Sequence, residues 1–208
     1  MDISPFIVGP LQTNCYVLSH NNEAVIIDPG GNMDEIIAQL RSNGETVKYV
    51  LCTHLHVDHV YGNAQLQQEF GVTILASDKD GYLQDTELGR GGSWGLPQVE
   101  PFTFEKLEPG KMEILGGTCM VLETPGHTPG GLSFYFPDEK VLFSGDTLFY
   151  RSIGRTDFPR GNMDDLMNSI LTRLYTLPDD VRVYPGHGRA TDVMSEKNLN
   201  LYTKNTSV

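Results

Sequence analysis

Short apolar runs, broken by Gly, Pro, Asn and Asp, set the rhythm of this chain. Cys15-Tyr-Val-Leu18 and Glu23-Ala-Val-Ile-Ile-Asp28 read as strands, and the second closes on the turn Pro29-Gly30-Gly31. The spacing of Ile36, Ile37 and Leu40 predicts a helix over 33–43, capped by Asn32 and ended by Gly44. A strand over 47–52 follows, then a helix ending near Phe70-Gly71, then a strand over 72–75. Residues 85–101 are glycine-rich, lack periodicity and carry Trp94, the only tryptophan. They read as a long surface loop, either a cover over a site or a plain connector. Beyond it, strands are expected at about 102–107, 112–115, 118–123, 131–136 and 140–144. A helix over 163–176 starts at Asn162 and carries the stripe Leu166, Ile170, Leu171 and Leu174. A strand over 182–184 and a short helix after Thr191 complete the pattern. Many strands with interspersed helices predict an α/β fold with a sheet-rich core. No linker, repeat or low-complexity tract interrupts residues 1–208, so one domain is expected.

Composition narrows the class. The 208 residues are 39% hydrophobic and 20% charged, within the ordinary range for a globular protein. The formal net charge of −12 would repel phosphate backbones, which counts against nucleic-acid partners. Cys15, Cys52 and Cys119 are odd in number, far apart and free of any CxxC, so they read as buried thiols of a reducing compartment. The start, Met1-Asp-Ile-Ser-Pro5, has no basic or long apolar segment, and no run of about 18 apolar residues exists. A cytoplasmic protein without membrane partners is expected; the oligomeric state is left open.

The chemistry concentrates at His54-Leu-His56-Val-Asp58-His59, which holds three of the six histidines in six residues. Imidazole and carboxylate are the ligands divalent transition metals prefer, and crowding them has little structural use. Three further elements repeat one local design, a polar donor just past a strand. These are His127 within Thr124-Pro-Gly-His127-Thr-Pro-Gly130, Asp146 within Ser144-Gly-Asp146-Thr-Leu-Phe149, and His187 within Pro185-Gly-His187-Gly188. Rigid Pro-Gly flanks suit a ligand whose backbone must stay in place. If the strands share a direction, their loops converge on one edge. Seven donors exceed one tetrahedral ion and suit two metals if a carboxylate is shared. His20 has no such company and reads as a surface turn. Asp28 is either a hydrogen-bond partner of a ligand histidine or a turn former. Thr53, Thr124 and Thr147 are weighed as partners too, with strand-end packing preferred. Trp94 and Tyr150 either line a cleft or pack.

HxHxDH, TPGHTPG, SGDTLF and PGHG, in this order along nearly the whole chain, resemble the metallo-β-lactamase superfamily. The resemblance implies an αββα four-layer sandwich. It implies that His54, His56 and His127 hold one metal, that Asp58, His59 and His187 hold a second, and that Asp146 bridges them. Zinc is the first expectation, with iron and manganese also compatible. The run from Gly145 to Gly161 resembles the glyoxalase II (hydroxyacylglutathione hydrolase) branch in its short single-domain form. There Arg155 takes the place of a lysine that contacts the glutathione portion. The implied reaction is hydrolysis of a small hydroxyacyl thioester by a hydroxide shared between the metals, with Asp58 orienting it and accepting its proton.

Other readings use the same scaffold. Gly154-Arg-Thr-Asp-Phe158 also resembles persulfide dioxygenases, which would hold one iron through His54, His127 and Asp146. Lactone or lactam hydrolysis is a further alternative, although Asp146 stands where many β-lactamases carry cysteine or no bridging acid. A silent metal-binding protein is disfavoured, because all seven donors are present.

Overall fold

A computed structural model describes residues 1–204. The chain divides into two compact units, Met1–Leu107 and a second from Glu108 onward, each with its own six-stranded sheet.

In the first unit the sheet runs in chain order: β1 (Asp2–Val8), β2 (Thr13–His20), β3 (Glu23–Ile27), β4 (Thr46–Leu51), β5 (Thr73–Ala76) and β6 (Glu105–Lys106). The first three strands form an antiparallel meander; β3 to β6 are parallel. Parallel neighbours need crossovers. These are α1 (Asp34–Asn43), then α2 (Val57–Val60) with α3 (Asn63–Phe70), then a 3₁₀ segment Asp78–Asp85 with α4 (Glu87–Arg90). Cys15, Val17, Ala24, Ile26 and Val50 share one apolar cluster with Ile36, Ile37 and Leu40 of α1 and Leu66 of α3. The alternate residues Tyr16, Leu18, Val25 and Ile27 are buried as well, so these strands carry no polar face. Each such side chain contributes about 1.5–3 kcal/mol through burial.

In the second unit the strands are β7 (Gly110–Ile114), β8 (Gly117–Glu123), β9 (Leu132–Phe136), β10 (Val141–Gly145), the hairpin β11 (Leu148–Phe149) and β12 (Ser152–Ile153), β13 (Arg182–Pro185) and β14 (Thr191–Asp192). The sheet order is β14-β13-β10-β9-β8-β7, with the hairpin apart. Helix α5 (Met163–Ser169) continues as a π-helical stretch Ile170–Leu174, and α6 (Val193–Leu199) follows β14. The expected stripe Leu166, Ile170 and Leu174 packs with Leu142, Val181, Val183 and Val193. Asn162 caps α5, its Oδ1 accepting from the amides of Asp164 and Asp165.

Strand direction places the site. Both β8 and β10 run antiparallel to β9, and β13 is parallel to β10. The loops carrying His127, Asp146 and His187 therefore leave one edge of one sheet. In the first unit β3 and β4 are parallel, and Tyr16 of β2 pairs with Ile27. Thr13, Asp28 and Thr53 thus share an edge, from which the histidine cluster departs.

Several elements differ from the sequence expectation. The helix after the cluster starts inside it, with an extended His56 as the cap residue and Asp58 and His59 already helical. The expected loop at 85–101 begins as the helical turn α4, and the strand over 102–107 shrinks to Glu105–Lys106. Helix α1 starts one residue later than its Asn32 cap implied, although Asn32 Oδ1 does accept from the Asp34 amide at 2.9 Å.

Candidate metal centre

In the first unit His54, His56 and His59 are buried, with ring centroids of His54 4.7 Å from His56 and 4.1 Å from His59. A ligand nitrogen of His54 lies within 4.8 Å of one on each neighbour. Asp58 Oδ2 stands 3.7 Å from His59 Nε2 and accepts a 3.3 Å hydrogen bond from the Thr13 hydroxyl.

A second layer of hydrogen bonds fixes how the rings present themselves. Asp28, buried at the end of β3 with φ 51°, accepts from the Thr53 amide at 2.7 Å and from the Thr53 hydroxyl at 2.7 Å. Its Oδ2 also accepts from His59 Nδ1 at 2.9 Å. The single Thr53 hydroxyl proton goes to Asp28, so toward His54 Nδ1, 3.1 Å away, that oxygen can only accept. Both His54 and His59 are thereby set with the proton on Nδ1 and the lone pair on Nε2, the arrangement of a metal ligand.

The second unit repeats the device. His127 Nδ1 donates to the Arg155 carbonyl at 2.7 Å, again leaving the lone pair on Nε2. That nitrogen is 3.6 Å from Asp146 Oδ2, and His187 Nε2 is 3.7 Å from the same oxygen. These separations exceed a hydrogen bond. They approach the spacing of about 3.4 Å between two ligands of one tetrahedral ion with bonds of about 2.0–2.2 Å. One carboxylate oxygen between two imidazoles is the local arrangement expected of a bridging ligand. Gly154 makes room for it: a Cβ there would meet the Asp146 carbonyl oxygen at 1.9 Å. Gly30 has the same use in the first unit, where a Cβ would lie 1.6 Å from the Asp58 carbonyl oxygen.

The loop around Arg155 is self-bound. Its guanidinium donates to both Asp157 oxygens, at 2.7 and 2.6 Å, and lies 4.0 Å over the Phe158 ring. The guanidinium holds the Asp157 carboxyl down at about 2. Phe158 in turn stands 6.4 Å from the His127 ring.

Within each unit, then, the structure brings its expected donors together: His54, His56, Asp58 and His59 in one, His127, Asp146 and His187 in the other. The open question over Asp28 resolves toward a hydrogen-bond partner of His59. Thr53 departs from the packing expectation and hydrogen-bonds both Asp28 and His54. Thr124 and Thr147 bond Ser133 and each other instead, and His20 is exposed against Asn21. Trp94 is exposed. Thr13, Asp157 and the Arg155 carbonyl join the site without having been expected from the sequence. Thr13 lies 45 residues before Asp58, and a backbone acceptor has no residue signature.

The chain matches the metallo-beta-lactamase superfamily over residues 8–187 and belongs to it. It is 38% identical to the hydroxyacylglutathione hydrolase GloC of Haemophilus influenzae over 212 aligned positions, covering 100% of both chains. Among solved structures, BLEG-1, a B3 metallo-beta-lactamase, matches with a TM-score of 0.90 at 34% identity, over 98% of this chain and 100% of that one. TTHA1623, solved in a di-iron-bound form, matches with 0.86 at 35% identity, over 96% and 99%. The fold is thus that of the metallo-β-lactamases, of α/β class with mixed sheets flanked by helices, as the motifs implied. Among the described residues no helix is long and apolar enough to cross a membrane.

Proposed function

We propose that the whole chain works as one domain, a binuclear metal-dependent thioesterase acting on a small hydroxyacyl thioester of the S-lactoylglutathione kind. The donor chemistry fits two divalent cations: five imidazoles and the Asp58 carboxylate with a shared Asp146, three of the imidazoles set for coordination through Nε2. His54, His56 and His127 would hold one, Asp58, His59 and His187 the other, with Asp146 common to both. Zinc is our first candidate and the di-iron relative supports iron as the second. When bound, such a pair supplies Lewis acidity, lowering the pKa of water from 15.7 toward about 7 and offsetting oxyanion charge.

The chain's own residues do the rest. Asp58, held by Thr13, orients the attacking water and accepts its proton. Asp28 and Thr53 keep His59 and His54 in one tautomer. A thiol of pKa near 8.5 leaves without a strong acid, which suits a site whose named residues include no dedicated proton donor. Arg155 would offer a substrate the guanidinium edge that Asp157 does not take. Buried unpaired thiols fit a cytoplasmic setting.

The full-length likeness to GloC carries the choice of thioester. The likeness to BLEG-1 favours lactam hydrolysis as a second reading. Purified protein should cleave S-lactoylglutathione at least a hundredfold faster than nitrocefin. The reverse order would install the lactamase reading, and oxygen uptake with glutathione persulfide would install a dioxygenase.

A further inference from the structure

Three arginines adjoin the ligand loops of the second unit, and two of them are neutralised. Arg155 is paired with Asp157. Arg151, in the turn of the β11–β12 hairpin, donates to the buried carboxylate of Glu196 and to the Ser195 carbonyl. Arg189, two residues past His187, is different. It is exposed, and among the described residues no carboxylate pairs with it. Its guanidinium is instead stacked 3.5 Å over the ring of Tyr150, the other residue of the hairpin turn. The preceding residue, Phe149, stands 6.3 Å from the His187 ring.

Stacking occupies the face of a guanidinium and leaves its in-plane N–H groups available for a planar, two-oxygen acceptor. The aromatic seat also restricts the side chain before any ligand arrives, which lowers the ordering cost of binding. An un-neutralised cation at this place counters the charge of a chain at −12, which would otherwise repel an anionic substrate.

We propose that Arg189, seated on Tyr150, recognises a carboxylate on the thiol half of the substrate, so that the enzyme selects anionic over neutral thioesters. The proposal rests on the thioesterase reading and names its substrate class. The test compares S-lactoylglutathione, which carries carboxylates on its thiol half, with S-lactoyl-N-acetylcysteamine, which carries none. In Arg189→Gln the ratio of kcat/KM for the anionic over the neutral substrate should fall about tenfold, through KM. Arg189→Lys should recover part of the ratio, because the charge remains. Tyr150→Leu should lower it by several-fold and Tyr150→Phe should hold it, since the ring is the seat. Raising salt to 0.5 M should erode the ratio in the parent and not in Arg189→Gln. A ratio within twofold of the parent in Arg189→Gln overturns the proposal. Should the parent cleave neither thioester, the thioesterase reading fails alone. Calorimetry with S-methylglutathione then decides: binding that weakens in Arg189→Gln upholds anion recognition, and absent or unaltered binding ends it.

Discussion

Asp28 Oδ2 accepts a 2.9 Å hydrogen bond from Nδ1 of His59, and through that contact the end of β3 sets the coordinating face of a ring on another element. The same carboxylate accepts two hydrogen bonds from Thr53, one of them from the hydroxyl that touches His54. An amide cannot accept at both ends, so Asp28→Asn forces one of these contacts to become donor against donor. Partners of this kind are worth 10–100-fold in metal affinity or activity. Asp28→Asn should lose about that factor in affinity, read by competition with a chromophoric chelator. Parent-like affinity would reduce Asp28 to a turn residue.

Asp146 Oδ2 stands 3.6 Å from His127 Nε2 and 3.7 Å from His187 Nε2. Asp146→Ala should lose metal occupancy and hydrolysis together, the metal falling from about two equivalents to one or fewer by elemental analysis. Retention of both would exclude a shared ligand.

The Arg155–Asp157 pair orders the loop whose carbonyl receives the His127 proton. If that is its main use, Asp157→Ala should weaken metal retention by several-fold while KM for the thioester changes by less than twofold. The His127 Nδ1 proton resonance should broaden through faster exchange. A large KM increase with intact metal binding would show that Asp157 serves to aim Arg155 at the substrate and not to order the carbonyl that His127 uses.

What the sequence made legible follows from where the chemistry sits. The seven donors could be read because each belongs to a short motif at a strand end, and strand direction then gathers them at the sheet edges. Asp28 was half legible: its place before Pro29-Gly30-Gly31 fits a turn equally well, and only the His59 ring nearby decides it. The Arg155 carbonyl was not legible, since any residue offers one. Strand β1 was hidden by Pro5, which an edge strand tolerates and an internal one does not. The β11–β12 hairpin has two residues per strand, too few to show alternation. The start of α2 inside the cluster was missed because a helix of four residues leaves no periodic signal.

All three cysteines are buried, and burial pushes their thiols up, that of Cys119 to about 12. The native protein should resist a thiol reagent at pH 8 and react at all three cysteines once unfolded. A thiol that stays protonated when folded and ionises when unfolded favours the unfolded chain as pH rises. Stability should therefore decline from about pH 9 to 12, more slowly in Cys119→Ala, by urea denaturation at each pH. Rapid labelling of the folded protein would contradict the burial.

The most direct measurement is elemental analysis of freshly purified protein alongside its hydrolysis of S-lactoylglutathione before and after chelation. About two equivalents of transition metal, turnover abolished by chelator and restored by adding zinc or iron back, is the expected result. One equivalent of tightly held iron with oxygen consumption, or thioester turnover that survives metal removal, would contradict a binuclear hydrolytic centre.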